Sequence, residues 1–108
     1  MTKIAIIGAG LSGLSAAHFL KDHAEITLFE KSSDVSGRIS TRHTEPYFFD
    51  HGAQYFTART KVFHDFIQPL INQGIIERWN ARYVKFDSDQ IIERKNWIDE
   101  EPRYVGVP

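Results

Sequence analysis

Apolar and polar positions change rhythm several times along this chain. Lys3-Ile4-Ala5-Ile6-Ile7 and Ile26-Thr27-Leu28-Phe29 are apolar runs of strand length. Between them, residues 12–21 carry Leu14, Ala17 and Leu20 at helical spacing, with Asp22-His23 at the exit. The spacing predicts a helix that covers the sheet and is buried along one face. Residues 31–45 are polar and aperiodic, which predicts a loop, and Pro46 breaks the chain before a short strand, Tyr47-Phe48-Phe49. From 60 to 73, Val62, Phe63, Phe66, Ile67, Leu70 and Ile71 again recur at helical spacing. Gly74 is a natural stop for that helix, and Pro69 is expected to kink or weaken its last turn. Residues 75–79, 81–86 and 90–94 read as strands, with Asp87-Ser88-Asp89 as a turn. The end, residues 103–108, reads as turn-like.

The junction between the first strand and the first helix carries the chemistry. Gly8-Ala9-Gly10-Leu11-Ser12-Gly13 follows the first apolar run directly, and Glu30 closes the second. Strand, glycine turn, helix, strand and terminal carboxylate together make a dinucleotide-binding fingerprint, a far more specific signal than a lone glycine pattern. Gly8 lets the chain turn out of the strand, Gly10 lets a pyrophosphate approach the backbone, and Gly13 lets the helix pack on the sheet. A helix starting near Leu11 or Ser12 points its unpaired N–H groups at the phosphates. The oxygens of Glu30 can accept hydrogen bonds from the hydroxyls of an adenosine ribose, and its charge would repel a 2′-phosphate, which disfavours NADP here.

Composition narrows the class further. With 108 residues, 42% hydrophobic, 25% charged and a formal net charge of -1, the chain reads as globular, not as disordered or nucleic-acid-binding. Lysines and arginines are dispersed, so no basic stripe accompanies the aromatics, and Trp79, Trp97, Phe63 and Phe66 are expected in a core. The absence of cysteine rules out disulfides, thiolate catalysis and cysteine metal sites. The apolar run at residues 4–7 is too short for a signal-peptide core or a membrane span, and cytoplasm is the expected compartment. A small-molecule substrate is expected as partner, with neither nucleic acid nor membrane.

Other chemistries fit poorly. Gly10-Leu11-Ser12-Gly13 is not a nucleophile elbow, because its second glycine comes one residue early. His18, His23, His43, His51 and His64 lack metal-ligand pairing, and no metal is expected; only His51, beside Asp50, invites attention. A doubly wound fold needs several parallel strands, yet only one βαβ unit is evident before the strands turn antiparallel in character. The chain is therefore expected to be the opening of a larger α/β fold.

The residues also carry a family resemblance. The fingerprint, Glu30-Lys31, Ser36-Gly37-Arg38-Ile39-Ser40-Thr41 and Phe49-Asp50-His51-Gly52-Ala53-Gln54-Tyr55-Phe56 resemble the flavin-containing amine oxidase superfamily, most closely its renalase-like FAD-dependent oxidoreductases. The resemblance covers essentially the whole chain and implies a Rossmann-like FAD/NAD(P)-binding fold. It implies a βαβ unit and flavin-side segment over residues 1–58, and over 59–108 the start of a helix-plus-strand region leading toward a substrate domain. By resemblance, Gly8, Gly10, Leu11, Ser12 and Gly13 form the phosphate turn, and Glu30-Lys31 the ribose end. Gly37 and Arg38 pass beside the pyrophosphate, while Gly52, Ala53, Gln54 and Tyr55 run near the flavin. Gln54 and Tyr55 serve equally well as a packed strand end. Ser36 departs from the family, where a second glycine usually precedes the Gly-Arg pair, so Gly37 is expected to provide the flexibility. The implied cofactor is FAD, and the implied reaction is hydride transfer from a reduced dihydronicotinamide isomer or an amine to flavin and then to oxygen. No catalytic residue is assigned. The alternatives are a non-catalytic adenine-dinucleotide-binding module and an NAD-dependent oxidoreductase.

Overall fold

Strands β1 (Thr2–Ile7) and β2 (Ala24–Phe29) lie parallel, in register from Thr2 opposite Ala24 to Ile7 opposite Phe29. Parallel neighbours need a crossover, which helix α1 (Leu11–Leu20) provides. The computed structural model describes residues 1–96 and 101–108, and divides into two units, Met1–Gln54 and Tyr55–Pro108. The βαβ unit opens the first of them. Ile4 and Ile6 are half-buried while Ile7 on the alternate face is 83% exposed, the period-two pattern of a strand.

The expectation of a buried helix face is corrected here. No residue of α1 is buried, and Leu14, Ala17 and Leu20 are only half-buried. A helix about 10 Å across overhangs two strands about 4.8 Å apart, so a two-stranded sheet cannot cover it. The loop expected over residues 31–45 is corrected as well. It contains a 3-10 turn, Gly37–Ile39, and strand β3 (Arg42–Thr44), which pairs antiparallel with β4 (Tyr47–Phe49). Cross-strand packing supplies what local periodicity lacks: the His43 ring stacks on Phe48 at 4.4 Å.

In the second unit, β5 (Phe56–Thr57) precedes helix α2 (Lys61–Asn72), followed by β6 (Ile76–Arg78), the hairpin β7 (Arg82–Asp87) and β8 (Gln90–Asn96), and β9 (Arg103–Gly106). Thr60 caps α2, its hydroxyl accepting from the Phe63 N–H at 3.2 Å. The helix runs through Pro69 and closes with Gly74 at φ +72: Gly74 N–H donates to the Ile71 carbonyl, and Ile75 N–H to the Leu70 carbonyl. That pair of bonds is a Schellman closure.

Residues 103–106, expected as a turn, instead form the central strand of a three-stranded antiparallel sheet ordered β5-β9-β6. Two partners far away in sequence pair with β9, and those pairings outweigh the local Gly-Pro signal. Ile67, Ile76 and Tyr104 make the core, with Phe56, Phe63, Phe66, Leu70 and Ile71 packed around them. Phe63 and Phe66 thus meet the core expectation in part, being half-buried. Trp79 does not, because 41% of it is exposed, and Trp97 lies outside the described residues. Among the described residues no helix is long and apolar enough to cross a membrane.

Candidate dinucleotide-binding site

The end of β1 turns sharply at Gly8, whose φ of +94 suits glycine and whose N–H donates to the Phe29 carbonyl at 2.7 Å. Ala9, 1% exposed, is the hub of the turn. Its N–H donates to Glu30 Oε2 at 2.8 Å, and its carbonyl accepts from the Ser36 N–H at 2.7 Å. Gly10 caps α1 without a side-chain hydrogen bond and accepts from the Leu14 N–H at 2.9 Å. The first-turn N–H groups of Leu11, Ser12 and Gly13 therefore have no carbonyl within the helix.

The two later glycines of the turn differ in purpose. A Cβ on Gly13 would sit 1.9 Å from the Gly8 carbonyl oxygen, so that position is glycine because helix and turn touch. A Cβ on Gly10 would have nothing within 4 Å, and Gly10 has an ordinary φ of -78. Among the described residues nothing excludes a side chain there. Open space beside unpartnered N–H groups at a helix N-terminus is what an anionic diphosphate requires, so these residues fit a dinucleotide.

Glu30 is half-buried at the end of β2 and has a second backbone contact, from the Ser32 N–H to Oε1 at 3.2 Å. The Ala9 N–H first, and the Ser32 N–H after it, hold its carboxyl below the usual carboxylate range. A carboxylate offers roughly four acceptor sites, so each oxygen keeps capacity for a ribose hydroxyl. Lys31 is exposed beside it.

Ser36 bridges to Gly10 and lies in the left-handed region at φ 85, and Gly37 follows at φ 58. Ser36 itself thus takes the conformation for which glycine is suited, so Gly37 does not provide the flexibility alone. Arg38 is exposed, and its backbone carbonyl accepts from the Ala53 N–H at 3.1 Å. Gly52 packs against the same carbonyl. The Thr41 hydroxyl donates to Asp50 Oδ1 just before this turn.

The structure therefore brings Gly8, Gly10, Gly13, Glu30 and Gly37 together, and joins Arg38 to Gly52 and Ala53. Leu11 and Ser12 sit exposed on the helix turn, and Gln54 is exposed at the end of the first unit. Tyr55 belongs to the second unit, where its ring lies 6.2 Å from Trp79 and 5.7 Å from the Arg103 guanidinium. Sequence reasoning missed Ala9 and Ser36. Both act through backbone atoms, and only the smallness of Ala9 hinted at its burial.

These features define a nucleotide-binding βαβ unit with a glycine turn and an acidic closing residue. The chain belongs to the family of NAD(P)-binding Rossmann-like domains, whose model matches residues 6–70. It is 33% identical over 96 residues to coproporphyrinogen III oxidase of Staphylococcus aureus, which covers 84% of this chain and 21% of that protein. It is 30% identical over 99 residues to an L-amino-acid oxidase of Sistrurus catenatus edwardsii, covering 87% and 19%. A prenylcysteine oxidase 1-like protein of Mus musculus is 36% identical over 102 residues, covering 88% and 20%. The chain spans about a fifth of the length of these relatives, all oxidases by name.

Proposed function

We propose that this chain holds the ADP half of FAD in an FAD-dependent oxidoreductase of the renalase-like kind. The observation that carries this reading is the space around Gly10, open to a ligand and flanked by the first turn of α1, by Glu30 and by the Ser36-Gly37 backbone. Leu11, Ser12 and Gly13 would donate N–H groups to the diphosphate, and Glu30 would accept from the ribose hydroxyls. Arg38 brings a planar guanidinium suited to oxyanions. When bound, the flavin supplies the hydride-accepting chemistry, from a reduced dihydronicotinamide isomer or an amine and on to oxygen. The chain's own task is to bind and orient. The names of its relatives, oxidases of three substrate classes, support the redox assignment.

The family description names NAD(P) and so favours a second reading, an NAD-dependent enzyme. Cofactor extraction and a visible spectrum of the intact protein separate the two. A yellow protein releasing FAD is expected, with absorbance that bleaches on adding substrate. A colourless protein that binds NAD and cannot be reconstituted with FAD overturns the proposal, and bound flavin that no substrate bleaches would indicate a module without turnover. Glu30→Arg is expected to weaken FAD binding more than tenfold, about 1.4 kcal/mol, because the carboxylate's backbone and ribose partners are left unmatched. Unchanged affinity in a titration would make Glu30 a structural residue only.

A further inference from the structure

Gly52 and Ala53 stand out because both meet the same backbone atom. A Cβ on Gly52 would lie 2.1 Å from the Arg38 carbonyl oxygen and 3.1 Å from its carbonyl carbon, while the Ala53 N–H donates to that oxygen at 3.1 Å. The obstruction is backbone, not the movable end of a side chain, so a larger residue at 52 must displace Arg38. On its other side the same segment is tied to the glycine turn. Ser36 N–H donates to the Ala9 carbonyl at 2.7 Å, and a Cβ on Gly37 would lie 3.4 Å from the Gly10 Cα. Residues 36–39 are thus clamped between the phosphate turn and residues 52–53, and Arg38 is the one charged residue among the four. Among the described residues no carboxylate pairs with its guanidinium.

We propose that Gly52 and Ala53 are positioning residues that hold the Arg38 backbone so that its guanidinium meets the diphosphate of the bound dinucleotide. This rests on the dinucleotide reading above and adds to it that the phosphate end depends on residues 52–53. A flavin contact at Gly52 would leave ADP binding untouched. A clamp on Arg38 weakens ADP and FAD alike.

The experiment is a double-mutant cycle on the intact protein stripped of cofactor, titrated with ADP and with FAD at several salt concentrations. Gly52→Ala is expected to lower affinity for both ligands at least tenfold and to flatten the salt dependence as Arg38→Ala does, because a guanidinium–phosphate contact is screened by salt. In the Arg38→Ala background, Gly52→Ala should change neither affinity by more than twofold. A loss confined to FAD overturns the proposal, as does an equal loss with and without Arg38. Should Gly52→Ala fail to fold, exchange of the Ala53 amide in the unaltered protein decides: it slows on adding ADP and does so no longer in Arg38→Ala, whereas exchange indifferent to ADP overturns the clamp. If the unaltered protein binds neither ADP nor FAD, the proposed function falls and the inference with it. If it binds both and the losses add, only the inference falls.

Discussion

Gly10 and Gly13 share a motif but answer to different neighbours. Gly13 meets the Gly8 carbonyl, whereas Gly10 meets open space at an unstrained φ. Gly13→Ala is therefore expected to destabilise the first unit, since helix or turn must move. Gly10→Ala should leave the unfolding free energy from a urea titration within about 0.5 kcal/mol of the original while weakening dinucleotide binding. Equal destabilisation by the two would show that the space at Gly10 has no ligand-binding purpose. Ser36 offers the converse case, a side chain held in the left-handed region. Ser36→Gly should raise stability by about 1 kcal/mol in urea unfolding, because the Cβ penalty disappears.

Glu30 adds a pH dependence with a defined sign. Its folded-state carboxyl lies below its ordinary range because the Ala9 N–H, then the Ser32 N–H, favour the charged form. That contribution to stability is present above the unfolded-state pKa and is lost as pH falls through the lower folded-state value. Glu30→Gln should lose this acid-side dependence, which unfolding midpoints taken from neutral to acid pH would detect. An acid limb identical in both proteins would mean that the carboxylate does not restrain the glycine turn.

At the scale of elements, the chain ends its second helix by a device that can be tested alone. A Cβ at Gly74 would touch nothing within 4 Å, so the cost of Gly74→Ala is the left-handed conformation itself, about 1–2 kcal/mol. The central strand β9 depends on Tyr104, which is 9% exposed and stacks against Phe56 at 5.8 Å. Tyr104→Ala should cost about 3–5 kcal/mol, as other large aromatic truncations in cores do. Loss of less than 1 kcal/mol in a denaturant titration would show that β9 does not organise this sheet.

At the scale of the whole molecule, the described core is small for its length. Ile67, Ile76 and Tyr104 form the buried cluster of the second unit, and Ala9 and Ala24 are the buried apolar residues of the first. Large side chains remain open, among them Ile7 at 83%, Phe19 at 64% and Phe86 at 61%. Exposed apolar residues and open strand edges favour association. The 108-residue chain by itself is expected to be marginally stable, to bind FAD weakly or not at all, and to show no oxidase activity. A monomer with a steep cooperative urea transition and tight flavin binding would overturn this.

The parallel strands, the first helix, the glycine turn and Glu30 were legible in the sequence because each is set by neighbours within a few residues: apolar runs, helical spacing, a glycine pattern. The helix over 60–73 and its stop at Gly74 were legible for the same reason. Tertiary structure alone decided the strand at Arg103–Gly106, the pairing of Arg42–Thr44 with Tyr47–Phe49, and the half-exposure of α1. The strand and the helix depend on partners distant in sequence or on how much sheet is present to cover a helix. The hairpin, though short-range, rests on cross-strand packing that the polar, aperiodic pattern of residues 31–45 does not show. Tertiary structure also decided that Ala9 joins Glu30 to Ser36 and that Gly52 abuts Arg38. Apart from the Glu30 carboxylate, those links run through backbone N–H and carbonyl groups, which every residue but proline carries alike, so side-chain pattern cannot announce them.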